Sequence, residues 1–322
     1  MSVQPAQSVR RDPTAWQIAP VPTAGDLATA EAFCRDVASR HYENFTVATR
    51  LVPPRLRQHL ANVYAFARWS DDLVDEAASP TEAARDLAAW RQGLEACFAG
   101  RPGHPVYVAL AETARQTGLT IAPFVHLLDA FEEDRAFDSA GVAVRYADRD
   151  AVVAYCRRSA DPVGRIVLAL EGCRDEALVA MSDCICTGLQ LVNFWQDVRR
   201  DRLAGRVYLP RDDMRRHGVT EAMLDAPRAA LPLRALLREE VAWARDRFAA
   251  GAPLVDLAPA VLRPAIGMFL AGGRAVANAI ERAGYDTLAR RPTVGKWTKL
   301  RLATWAWWRL QATPHRVAGG RP

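Results

Sequence analysis

Lysine is almost absent. Lys296 and Lys299 are the only two in a chain of 322 residues. The net charge of +5 and pI near 9.0 therefore rest on arginine. A GC-rich coding bias accounts for this balance. It also fits acidic substrates or an anionic membrane surface without demanding either. No compact arginine run is interleaved with aromatics outside the C-terminal segment, so a nucleic-acid partner is not expected. The six cysteines are scattered, and no CxxC pairs with a second metal-type cluster. They read as buried thiols of a reducing compartment. The six histidines form no HExxH or other ligand spacing. No run of roughly 18 or more apolar residues suggests a transmembrane helix. The N-terminus lacks the charged start and apolar core of a signal peptide. These absences predict a cytoplasmic protein. No alternating strand pattern and no solenoid repeat persist. No GxGxxG follows a strand, since Gly272-Gly273 falls in a helical stretch, so no nicotinamide cofactor is predicted.

Half of the residues are hydrophobic and a quarter are charged. That balance supports one large buried core. Residues 1–23, with Pro5, Pro13, Pro20 and Pro22, read as a loose tail. From Asp26, a good N-cap, the 3.6-residue period takes over. Helices are predicted over 26–40, 54–76, 81–99, 105–116, 122–136, 149–171, 174–203, 220–225, 232–250, 259–284 and 293–312. Gly and Pro punctuate the gaps between them. The prediction is an all-α domain over 24–290, with a basic, Trp-rich helix and tail over 291–322.

Two acidic clusters carry candidate chemistry. Asp71 and Asp75 lie four apart, as do Asp197 and Asp201, so each pair shares one helix face. Spacing alone is weak: among 322 residues, 37 acidic ones give roughly four such pairs by chance. Context adds weight. Stepping back from Asp71 gives Ala67, Val63 and Leu60, so the aspartates extend an apolar stripe. Residues 184–195 are apolar almost all round, as in a central helix. Gln190, Asn193, Asp197 and Asp201 form one polar line along it. Carboxylates facing inward must be paired or bind a cation. Two such pairs make an oxygen-rich site suited to Mg²⁺, which keeps waters and takes one or two carboxylates with substrate phosphate. Arg68, Arg199, Arg200 and Arg206 suit a diphosphate. The ordinary alternative is two solvated helix faces bearing surface ion pairs.

The order of motifs is more specific than any one of them. Residues 64–75, Tyr-Ala-Phe-Ala-Arg-Trp-Ser-Asp-Asp-Leu-Val-Asp, resemble the first aspartate-rich motif of the squalene/phytoene synthase family. Gln190 to Asn193, then Asp197 to Asp201, then Gly205-Arg206-Val207-Tyr208-Leu209-Pro210, resemble its second. Residues 155–164, from Tyr155 to Gly164, resemble the helix between them. The resemblance spans about 25–285 and implies a helical bundle of isoprenoid synthase type around a deep apolar cavity. It implies an isoprenoid diphosphate substrate and Mg²⁺. Asp71, Asp75, Asn193, Asp197 and Asp201 are the metal-site candidates. Arg68, Gln190, Arg206 and Tyr208 are the diphosphate or pocket candidates, and Tyr155 is a catalytic one.

Two segments depart from the condensing branch. That branch carries Arg just before the first aspartate of the second motif, where this chain has Gln196. It also carries a Ser-x-Ser-Phe segment, where this chain has His41-Tyr42-Glu43-Asn44-Phe45. Both variants resemble the hydroxysqualene synthase branch of bacterial hopanoid pathways. That branch ionises presqualene diphosphate, rearranges the cation and quenches it with water. Tyr42, Asn44 or Gln196 could hold the water. Each has an ordinary alternative, as a core aromatic, a cap and a helix polar residue. The other readings are a condensing enzyme of the same family, a non-catalytic scaffold on the same fold, and a chain elongator, which lacks its second Asp-Asp-x-x-Asp here. The mixture of Lys296, Trp297, Lys299, Arg301, Trp305, Trp307, Trp308 and Arg309 suits a membrane interface or packing on the bundle. The sequence sets no oligomeric state.

Overall fold

The computed structural model describes residues 26–40, 52–75 and 77–295. Among them are thirteen helices: α1 (Leu27–Arg40), α2 (Pro54–Asp75), α3 (Pro80–Phe98), α4 (Pro105–Thr117), α5 (Ala122–Ala140), α6 (Arg149–Ser159), α7 (Asp161–Leu170), α8 (Glu176–Leu203), α9 (Arg211–Arg216), α10 (Glu221–Leu224), α11 (Leu231–Gly251), α12 (Leu254–Leu257) and α13 (Arg263–Arg282). The all-α expectation holds. The helix starts follow local chemistry. The Asp26 carboxylate accepts the Thr29 N–H at 3.1 Å, Ser79 accepts from Glu82 N, and Asp175 accepts from Ala177 and Leu178 N. Each side chain satisfies an amide that has no partner within the helix.

Three stretches differ from the periodic reading. The predicted 149–171 helix breaks at Ala160, because Pro162 has no N–H and its ring clashes with the preceding turn. The predicted 259–284 helix begins only at Arg263, with short α12 before it and Pro259 in the gap. Residues 211–216 form a short helix between Pro210 and Gly218, where none was predicted. The predicted 293–312 helix falls almost wholly outside the described residues.

α8 is the spine. Helices α6, α7, α11 and α13 pack on it. Small residues let them come close. A Cβ on Gly273 of α13 would stand 2.4 Å from the Phe248 ring of α11 and 2.8 Å from Leu189 of α8. A Cβ on Gly164 of α7 would stand 2.3 Å from Ser182 Oγ. By length and composition α8 could cross a membrane. Its apolar character is explained instead by the helices packed around it. α2 belongs to a second group with α1, α3, α4 and α5, centred on Phe66, Trp90 and Tyr107. α7 touches both α2 and α8, joining the two groups.

One non-helical contact matters for the site. The segment after α5 runs beside the segment after α8. Val207 N donates to Ala143 O at 2.8 Å, and Arg145 N donates to Val207 O at 3.3 Å. This single parallel bridge, Val144 with Val207, fixes Arg145 next to Arg206 and Tyr208.

Candidate active site

The polar line on α8 is real. Leu191, Val192, Phe194, Trp195, Gln196 and Val198 are buried, while Gln190, Asp197 and Asp201 are half-buried and Asn193 is exposed. On a helix otherwise enclosed by its neighbours, such a line faces a solvent-reached gap. Burial, then the Asp197 charge, pushes Asp201 up to about 7, against the pull of Arg206, Arg200 and Arg145. Burial and the neighbouring carboxylate therefore both favour the protonated form of Asp201, which a bound cation would reverse.

Arg291 meets part of that demand. Its Nε and Nη2 donate to the two carboxylate oxygens of Asp197 at 2.5 and 2.9 Å. Nη2 also donates to Gln196 Oε1 at 2.9 Å, and Gln196 Nε2 donates to the Pro292 carbonyl at 2.5 Å. Gln196 is thus engaged at both ends of its carboxamide and 5 % exposed.

A second layer stands behind Asp201. Arg145 has no exposed side-chain surface. It donates to Asp134 and Asp138 of α5, and its guanidinium lies 5.4 Å from the Tyr208 ring centre. Its Nε finds no partner among the described residues. Asp134 also accepts the Tyr155 hydroxyl at 2.7 Å. Asp138 also accepts from Arg206 Nη2 at 2.6 Å. Tyr208 stacks on Phe194, centroids 3.9 Å apart. Burial holds both the Tyr155 and Tyr208 phenols above their ordinary range, so both stay protonated. The structure therefore brings Gln196, Asp197, Asp201, Arg206, Tyr208 and Tyr155 into one connected neighbourhood.

The first motif lies on α2. Leu60 and Val63 are buried, and exposure opens at Ala67 and Asp71, so the stripe leaves the core where the acids begin. Arg68 donates to Asp71 at 3.1 Å and to Asp72. Asp75 ends α2, and its side chain is outside the description. α5 and α7 pack on α2, and α6 and α7 pack on α8, so the helices that carry the two motifs share α7 as a neighbour. Tyr42 and Asn44 lie outside the described residues.

Sequence reasoning missed Asp134, Asp138, Arg145 and Arg291. The two aspartates are one more i,i+4 acidic pair, and nothing in the pattern separates them from chance pairs. Arg291 acts across the fold. Arg145 folds back from the segment after α5 onto acids 7 and 11 residues before it, past the helix end, so no helical period marks the pairing.

A cavity of about 10 Å³ opens between Phe194, Asp201, Arg206 and Tyr208. That is room for about one water. A cleft of about 420 Å³ lies elsewhere, between Leu73, Asp86, Trp90, His104 and Tyr107. Neither is the deep apolar chamber that the resemblance implies.

The donor set fits a hard cation. It is all oxygen, its second pair sets two carboxylates close enough to raise Asp201, and a guanidinium already stands in as a cation on Asp197. No three metal-ligating side chains converge among the described residues. Mg²⁺ does not require three, because water and substrate phosphate complete its shell.

This is a helical bundle of the isoprenoid synthase type, with an acidic site on its central helix. The squalene/phytoene synthase family model matches residues 38–298, and the chain belongs to that family. A phytoene synthase of Arthrospira platensis is 31 % identical over 83 % of this chain and 89 % of its own. A hydroxysqualene synthase of Zymomonas mobilis is 36 % identical over 60 % of this chain and 63 % of its own. Among solved structures, squalene synthase HpnC from Alicyclobacillus acidocaldarius is 37 % identical, with TM-score 0.75 over 80 % of this chain and 95 % of that one. A dehydrosqualene synthase bound to a ligand superposes with TM-score 0.77 at 25 % identity, over 89 % of this chain and 98 % of that one. The family is divalent-metal dependent and takes prenyl diphosphates.

Proposed function

We propose that this chain ionises presqualene diphosphate and yields hydroxysqualene and diphosphate. The carbon–oxygen bond breaks, and diphosphate leaves with the electron pair. The cyclopropyl cation opens, and water adds and loses a proton. Gln196 carries this choice of branch. It is neutral, buried and hydrogen-bonded where the condensing branch has an arginine. Losing that cation lowers the positive charge available to a second diphosphate. The similarity to the Zymomonas hydroxysqualene synthase supports the same branch.

In this reading Asp71, Asp75, Asn193, Asp197 and Asp201 hold Mg²⁺. The bound ions supply charge neutralisation for the departing diphosphate. Arg68, Gln190, Arg206 and Tyr208 orient the diphosphate. Tyr155, held by Asp134, presents a neutral hydroxyl to the reacting end, and Tyr42 and Asn44 order the attacking water, while the carboxamide of Gln196, engaged at both ends, holds the Arg291–Pro292 segment beside the site. The chain acts in the cytoplasm, with the basic, Trp-rich segment 293–322 touching the membrane that dissolves its apolar substrate.

A second reading, head-to-head condensation of prenyl diphosphates, is favoured by the long match to phytoene synthase. Product analysis separates the two. With Mg²⁺, presqualene diphosphate should give hydroxysqualene, and farnesyl diphosphate alone should be left untouched. Consumption of farnesyl diphosphate selects condensation. Asp71→Asn and Asp197→Asn should each lose at least about a hundredfold in turnover. Undiminished turnover in those variants removes the metal assignment.

A further inference from the structure

We propose that Arg291, positioned by the Gln196 carboxamide, is a resident counter-ion that a divalent cation must displace from Asp197. Residues 196 and 291 together then set the metal affinity of the second acid pair. The inference rests on the metal site proposed above and adds what guards it.

The geometry is that of a fork. Arg291 addresses both oxygens of Asp197, one from Nε and one from Nη2. Two parallel bonds of this kind occupy the lone-pair directions that a cation would use. The Asp197 side chain is only 16 % exposed, against 48 % for Arg291, so the arginine covers the carboxylate from the solvent side. Asp201 has no such fork among the described residues.

Gln196 explains why the arm stays there. A 48 % exposed arginine has many rotamers, and a surface ion pair alone holds it weakly. Here the Gln196 oxygen accepts from Nη2, while its nitrogen donates to the carbonyl of Pro292, the next residue in the chain. One buried amide thus braces both the side chain and the backbone of the Arg291–Pro292 segment. This works only with a neutral acceptor at 196. A guanidinium in its place would stand against that of Arg291, and the repulsion would drive the arm off Asp197. The neutral residue before Asp197 and the arginine on Asp197 are therefore two halves of one device.

Direct cation binding tests this. Mn²⁺ is titrated into the full-length chain without diphosphate, and free Mn²⁺ is read by electron paramagnetic resonance. Arg291→Gln should bind Mn²⁺ about fivefold more tightly than the parent, since the competing cation is gone. Gln196→Leu should shift the same way by about twofold, because the arm remains but loses its brace. Asp197→Asn should bind more weakly. Unchanged, weaker or unmeasurable binding in Arg291→Gln, with Asp197→Asn still weakened, overturns the counter-ion role alone. An Asp197→Asn variant with parental affinity overturns the metal assignment, and this inference with it.

Discussion

Replacing Arg145 with methionine tests the layer behind the acid pair. The substitution keeps an unbranched apolar stem and removes a charge with no exposed surface. Two carboxylates then lose a cation. Removing one partner of a buried ion pair costs about 3–5 kcal/mol. Asp138 is one-third exposed and retains Arg206, so its share is small. Asp134 is more enclosed and keeps the hydrogen bond from the Tyr155 hydroxyl and the more distant charge of Arg206. The expected loss is therefore near the lower end, about 3 kcal/mol at pH 7.5. Burial already raises Asp134 above the ordinary carboxylate range while Arg145 pulls it down. Without Arg145 it rises further, and a protonated Asp134 needs no cation. The deficit of the variant should thus shrink as pH falls from 8 to 5. Adding Asp134→Asn to Arg145→Met should recover about 1–2 kcal/mol, since the stranded charge is gone. Urea unfolding at several pH values reads all three effects. A loss under about 1 kcal/mol, or a double variant no more stable than the single one, refutes the view that Arg145 neutralises a buried carboxylate.

Two further outcomes are expected. Glu240 is fully buried beside Arg149 and Asp213, and burial pushes it up to about 8. Its preference for the proton stabilises the fold fully below its ordinary value of 4.5 and is lost as pH rises through about 8. Glu240→Gln keeps a donor without titrating, so it should gain roughly 4 kcal/mol on the parent between pH 5 and 9. Parallel stability curves would count against this. Deleting residues 293–322 should move the protein from a membrane pellet to the supernatant, and unchanged partitioning would sink the membrane-contact reading.

The central helix was legible because burial and chemistry write different marks on one segment. Apolar residues run all round 184–195, and a polar line at steps of three and four crosses them. Both signals are local, so one strand of text carries them. The cap at Asp26 was equally readable, since its side chain serves an amide three residues on. The helix break at Ala160–Pro162 was less so, because apolar periodicity continues across the proline and masks it. Asp134 and Asp138 were invisible as site residues. Their spacing is that of any solvated pair, and only the folded chain sets Arg145 and, beside the Val144–Val207 bridge, Arg206 against them.

By itself, the sequence determined the helical class, the two acid motifs and the neutral residue before Asp197. These depend on side-chain period and on neighbours within about one helical turn. The tertiary structure alone decided which cations meet those acids. Arg291 reaches Asp197 from 94 residues away, and Arg206 reaches Asp138 from 68. Such partners are selected by packing in three dimensions. An arginine looks the same in the text whether it ends in solvent or on a buried carboxylate.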